Sequence, residues 1–198
     1  MGTATLPETP EDPSSSTISL VTGDPVAGLE LDITIEYDAF GDEGELTHLI
    51  HRAVQTTLQA EGLGQAGACE ISVRIIDNVA SQDLNNRFRG KDKPTNVLSF
   101  PGQEPDEIDD AFSFACSGGP PVMFGDIVVA APVVIDEAKQ QNKKTHDHLM
   151  HLMVHGVLHL LGHDHIEEQE AELMEATERE ILAVFGIANP YRIGEEND

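Results

Sequence analysis

The segment HLMVHGVLHLLGHDH, from His151 to His165, constrains this chain more than any other. Its leucines, methionines and valines are those of a buried helix, yet it carries five histidines in fifteen residues. A helix brings positions i and i+4 onto one face, so His155 and His159 can address a single atom. Gly162 can adopt the left-handed conformation that ends a helix and reverses the chain. The residues after it then fold back toward that face, where His165 can supply a third imidazole. Three neutral nitrogens suit Zn2+ and leave a fourth position for water, the arrangement of a catalytic zinc rather than a closed structural one. Zinc held this way lowers the pKa of its water to roughly 7. The expected cofactor is one zinc per chain on His155, His159 and His165.

The neighbouring histidines divide by distance. His151 shares the face but lies roughly 12 Å along the axis from His159, too far to share an ion with it. His163 and Asp164 are placed to orient an imidazole or hold the water. His146 and His148 are expected to cap or solvate the helix start. The order H-x-x-x-H-x-x-G-x-x-H is also that of the metzincin proteases, whose first His is followed by a Glu acting as general base. Here that position is Gly156, which has no side chain to take a proton. A peptidase is disfavoured.

Charge narrows the partners. Acidic residues number 36 against 11 basic ones, giving a net charge of -25. Such a chain does not coat long nucleic acid, whose binders are basic. Yet Arg87, Arg89, Lys91 and Lys93 fall within seven positions, an island that can hold an anionic ligand. No apolar run reaches the roughly 18 residues of a membrane span. The N-terminus lacks the basic and apolar segments of a secretory signal. Cys69 and Cys116 make neither a CxxC nor a disulfide framework. These features predict a cytoplasmic protein with free thiols and no membrane partner.

Along the chain, residues 1–28 are rich in Pro, Thr, Ser, Glu and Gly without a period, and are expected to form a disordered acidic tail. A single catalytic domain is expected over 29–192, followed by an acidic C-terminal tail at 193–198. LELDITIEY from Leu29 alternates as a half-buried strand, and CEISVRIID repeats the pattern. ELTHLIHRAVQTTLQAEGL between them has helical spacing. SQDLNNRFRG reads as a short helix stopped by Gly90, and TNVLSFP as a strand ended by Pro101. An acidic, Gly/Pro-rich loop is expected over 102–121, then GDIVVA as a fully buried strand. Three helical patterns follow: Pro132 to Gln141, Thr145 to Leu161, and Glu167 to Phe185. Strands first and helices late predict an α+β fold, a small mixed sheet packed with helices and a metal site at the end of a central helix.

HGVLHLLGHDH resembles the H-G-x-L-H-L-x-G-x-D-H signature of the YbeY family of rRNA maturation endoribonucleases. FRGKDKPTNVLSFP, from Phe88 to Pro101, is similar to a second hallmark of that family, and FGDIVVA to a third. The resemblance runs from about Leu31 to Ile187, leaving residues 1–28 and the stretch from Glu104 to Gly119 without a matching motif. It implies a zincin-like α+β fold and a metal-dependent, single-strand-specific endoribonuclease. It further implies rRNA processing, notably at the small-subunit 3′ end, and ribosome quality control, with single-stranded rRNA and ribosomal particles as partners. The signature histidines fall on His155, His159 and His165, and the family's functional Arg falls on Arg89. A guanidinium offers two phosphate oxygens a planar fork that Lys cannot copy, which suits the charge that develops during phosphodiester cleavage. Lys91 and Lys93 either guide RNA or are surface solvation. Two other readings stand beside this one. One is a zinc hydrolase of another substrate class. The other is a zinc-binding ribosome-assembly factor without a catalytic role, whose acidic surface docks on basic ribosomal proteins.

Overall fold

The computed structural model describes residues 28–63, 69–164 and 167–191, together with the backbone of 16–21. Strand β2 (Leu29–Ile35) buries Leu29, Leu31, Ile33 and Ile35 and turns Glu30 and Asp32 outward. Strand β3 (Cys69–Ile76) does the same with Cys69, Ile71, Val73 and Ile75. The two run parallel, with Leu31 opposite Ile71, so the chain must cross over between them. Helix α1 (Glu43–Ala60) makes that crossover. It starts where the Asp42 carboxylate accepts the Glu45 N–H at 2.8 Å, and it buries Leu46, Ile50, Val54 and Leu58.

Strand β5 (Val122–Ala130) is parallel to β3, and β4 (Val97–Pro101) pairs antiparallel with β5 at the sheet edge. The strand order is β1-β2-β3-β5-β4, a mixed sheet as the sequence predicts. β5 begins at Val122 rather than at the expected Gly125. The reason is a bulge: Glu70 faces Met123 but Ile71 faces Gly125, leaving Phe124 as the extra residue. The bulge shifts the alternation by one, so Phe124 and Ile127 both enter the main core. It also brings β4 close. A Cβ on Gly125, whose φ is +130°, would lie 2.1 Å from the Phe100 carbonyl oxygen.

Two segments depart from expectation. Strand β1 (Ser16–Val21) lies within residues 1–28 and pairs antiparallel with the outer edge of β2. Its hydrogen bonds come from that edge, which no local period announces. The other residues of 1–27, and the expected C-terminal tail at 193–198, lie outside the described residues. The second departure is the expected loop over 102–121, where a 3-10 turn at Pro105–Glu107 leads into helix α3 (Ile108–Cys116). Ile108, Phe112 and Ala115 face inward at helical spacing, and Phe112 stacks on Phe124 with ring centroids 6.3 Å apart. The Gly and Pro residues that suggested a loop flank this helix rather than interrupt it.

The main core covers one face of the sheet, under α1, α5 (Thr145–Leu160) and α6 (Glu168–Val184). On the opposite face α2 (Asn78–Arg89) packs a smaller cluster of Ile76, Leu84, Leu98 and Val128. Helix α4 (Ala131–Gln140) follows β5 directly. The last three helices begin and end within one residue of their sequence-predicted limits. No helix among the described residues is long and apolar enough to cross a membrane.

Helix α5 positions the histidines. It is apolar almost all round, and Leu149, Leu152, Met153, Val154, Val157, Leu158 and Leu160 are buried, as a central helix requires. His151, His155 and His159 form its one half-buried stripe. Gly156 lies against the sheet: a Cβ there would sit 3.2 Å from two Ile127 carbons and 3.3 Å from Ser99 Oγ. The Ser99 hydroxyl donates to the Gly156 carbonyl at 3.2 Å, tying β4 to the histidine helix.

Candidate active site

His155 and His159 lie one helical turn apart, with their Nε2 atoms 3.2 Å from each other. Each ring has its other nitrogen committed. His155 Nδ1 donates to Glu178 Oε1 at 2.7 Å, and His159 Nδ1 donates to the His163 carbonyl oxygen at 2.9 Å. A carboxylate and a carbonyl accept only, so both protons belong on Nδ1. In the neutral rings both Nε2 lone pairs then point into the same space. Two nitrogens bound to one tetrahedral zinc at about 2.0–2.1 Å lie roughly 3.3 Å apart, close to the observed separation. The donor set fits a divalent ion. Among the described residues no three His, Cys, Asp or Glu side chains converge on one point. His165, the expected third ligand, lies outside the described residues.

Glu178 is the acceptor that organises one side of the site. It sits in α6, is fully buried, and takes hydrogen bonds from His155, from His151 Nε2 at 3.2 Å, and from the Tyr191 hydroxyl. Burial pushes its carboxyl pKa up, but the His151, His155 and Tyr191 hydrogen bonds outweigh it and bring it down to about 2. Glu178 is therefore ionised. Burial and the same carboxylate push the Tyr191 phenol well above its usual range, so it stays a donor.

The other side rests on the turn after α5. Gly162 has φ +89°, in keeping with the expected reversal, and a Cβ there would meet Pro105 Cβ at 2.7 Å. The His163 ring donates to Glu61 Oε2 at 2.8 Å, which pins the residue whose carbonyl receives His159. The sequence leads one to expect His163 to orient an imidazole or hold the water; the oxygen that meets His159 is that of its backbone. Asp164 is half-buried beside it.

The model of the family described as Endoribonuclease YbeY matches residues 32–186. The chain belongs to the endoribonuclease YbeY family. It is 43% identical over 166 residues to the Endoribonuclease YbeY of Alkalilimnicola ehrlichii, an alignment spanning 84% of this chain and 94% of that protein. Among solved structures it is similar to the solution structure of TM1509 from Thermotoga maritima, at 23% identity and a TM-score of 0.48. That likeness covers 84% of this chain and 99% of the other. The span matched by the YbeY family model contains every candidate site residue of the sequence reading, and Glu61 and Glu178 as well.

The basic island lies at the end of α2 and in the connection that follows it. Arg89 is the last residue of α2, Gly90 caps that helix with φ 67°, and Arg89, Lys91 and Lys93 are all exposed. No hydrogen bond or ion pair among the described residues joins their side chains to the histidines. Their backbone is firmly held. Buried Ser81 donates to the Thr95 carbonyl at 2.8 Å, and Asn85 donates to the Lys93 carbonyl at 2.7 Å. Asn96 donates to Glu137 Oε2 at 3.0 Å, and Glu137 receives His148 Nε2 at 2.9 Å. The cations thus stand on a connection fastened to α2, α4 and, through His148, to the histidine helix.

His148 corrects one expectation. It does not solvate the helix start; it is buried against Glu137. His146, half-exposed, reaches the Phe40 carbonyl at 3.3 Å. Sequence reasoning missed Glu178, Tyr191 and Glu61. Glu178 did leave a signal, because Met174, Glu178, Ile181 and Leu182 share helical spacing and a carboxylate occupies a core position among them. Tyr191 and Glu61, in a turn and at a helix end, follow no period.

Proposed function

We propose that this protein is a metal-dependent, single-strand-specific endoribonuclease that holds one zinc per chain with His155, His159 and His165. Its substrate is rRNA in ribosomal particles, at the small-subunit 3′ end and in quality control, and it works in the cytoplasm. Membership of the YbeY family supports the RNA substrate. The observation that carries the metal is the pair of Nε2 atoms 3.2 Å apart with both Nδ1 protons already given away.

Zinc would supply a Lewis acid for the phosphoryl oxygens and an acidified water. The protein's own part is orientation. Glu178 and the His163 carbonyl hold the two rings so that their lone pairs meet. Arg89 forks onto phosphate oxygens and steadies the charge that builds on them. Lys91 and Lys93 guide the strand toward it. Position 156, the base of a metzincin frame, is turned into Ile127 and Ser99, so no carboxylate from that site takes a proton.

The test pairs metal analysis with cleavage of single-stranded RNA by purified, nuclease-free protein. The expected result is about one zinc per chain and metal-dependent cleavage, both lost in His159→Ala. Full metal content and full cleavage in that variant would remove the site.

A further inference from the structure

Behind the His155 imidazole of the site stands a buried carboxylate. We infer that Glu178 is the positioning residue of this site: one buried carboxylate, held by Tyr191, fixes His155 and His151 in opposite tautomers so that, of these two, His155 alone presents Nε2 to the ligand space. The inference deepens the metal reading above and rests on it for its consequence, though not for its geometry.

Glu178 takes three donors on two oxygens: His155 Nδ1 on Oε1, and His151 Nε2 and the Tyr191 hydroxyl on Oε2. His155 and His151 sit one turn apart on α5, yet they meet the carboxylate through different ring nitrogens. His155 must then carry its proton on Nδ1 and His151 on Nε2. Among the described residues the buried His151 Nδ1 has no hydrogen-bond partner, a place for a bare lone pair rather than an N–H. The same acid therefore readies His155 as a ligand and turns His151 away. Tyr191 arrives from beyond α6, where the Lys143 ammonium holds the Pro190 carbonyl at 3.3 Å. Its hydroxyl shares Oε2 with His151.

A carboxylate behind a ligating imidazole makes the ring a better donor and sets its direction, and losing such a partner lowers metal affinity by about 10–100-fold. Glu178→Gln keeps the shape but leaves one acceptor oxygen for three donors and removes the charge.

Two measurements test this. The first is nitrogen-15 NMR of the histidine rings in the metal-free wild type, which reads tautomers with no metal present. Nδ1–H on His155 and Nε2–H on His151 are expected; Nε2–H on His155 overturns the inference whether or not zinc binds. The second is zinc affinity by chelator competition for wild type, Glu178→Gln and His159→Ala, with melting temperatures alongside. At least about tenfold weaker binding in Glu178→Gln is expected. A lowered melting temperature with unchanged affinity makes Glu178 merely structural and overturns the proposal. If Glu178→Gln does not fold, the wild-type tautomers decide. Wild type that binds zinc no tighter than His159→Ala defeats the metal reading instead, and the tautomer result separates the two failures.

Discussion

Glu137 joins three parts of the molecule through one carboxylate. The His148 hydrogen bond lowers its pKa from the usual 4.5, burial opposes this, and Asn96, the His148 charge and the Lys143 charge add to the lowering. A carboxyl whose pKa falls on folding stabilises the native state fully above its unfolded value, and that stability is lost as pH falls through the folded value. Glu137→Gln should therefore melt below wild type at neutral pH, with the gap closing as pH drops below 4.5. Melting curves across pH 3–7 check this, and a gap constant with pH would assign the loss to shape alone. Arg89 offers a sharper test of chemistry. Arg89→Lys keeps the charge at the end of α2 but gives up the fork, about 1–1.5 kcal/mol of hydrogen bonding, or roughly tenfold in kcat/KM. Fold and zinc content should not change. Equal kcat/KM for the two proteins would make Arg89 surface charge.

At the scale of elements, α5 is the piece on which the site depends, and Gly156 is its closest approach to the sheet. Gly156→Ala adds one methyl at 3.2–3.3 Å from its neighbours, and small shifts together with better helix propensity should keep stability near wild type. Gly156→Val adds branches with nowhere to go and should cost about 1–3 kcal/mol, visible in urea denaturation. Equal stability of the valine variant would mean the helix can lift off β5. The histidine helix was legible in the sequence because its signals are local: apolar residues nearly throughout, His155 and His159 four apart, and Gly162 to stop it. Other features depended on distant partners. Phe124 became a bulge only against β3, β1 exists only against β2, and the Gly/Pro flanks of α3 outweighed the spacing of Ile108, Phe112 and Ala115. Within the site, sequence spacing reached the His155 and His159 pair but not the Glu178 carboxylate of α6 behind His155, nor Glu61 at the end of α1, which holds the His163 ring.

Across the whole molecule, a net charge of -25 is set against one small cationic connection. Each single-strand phosphate neutralised contributes about 0.7 to the salt slope, so Arg89, Lys91 and Lys93 together should give log(kcat/KM) a slope near -2 against log salt. A slope steeper than about -4 would require phosphate contacts well beyond that connection. The position of Glu178 has a further effect, in time rather than in space. It follows His159 by nineteen residues, and a ribosome adding about 5–20 residues per second makes it roughly 1–4 s later. All five strands and the histidine helix leave the ribosome before the carboxylate that sets the His155 proton. The nascent chain therefore emerges with its candidate site incomplete, while it is still tethered to its own messenger and to the ribosome.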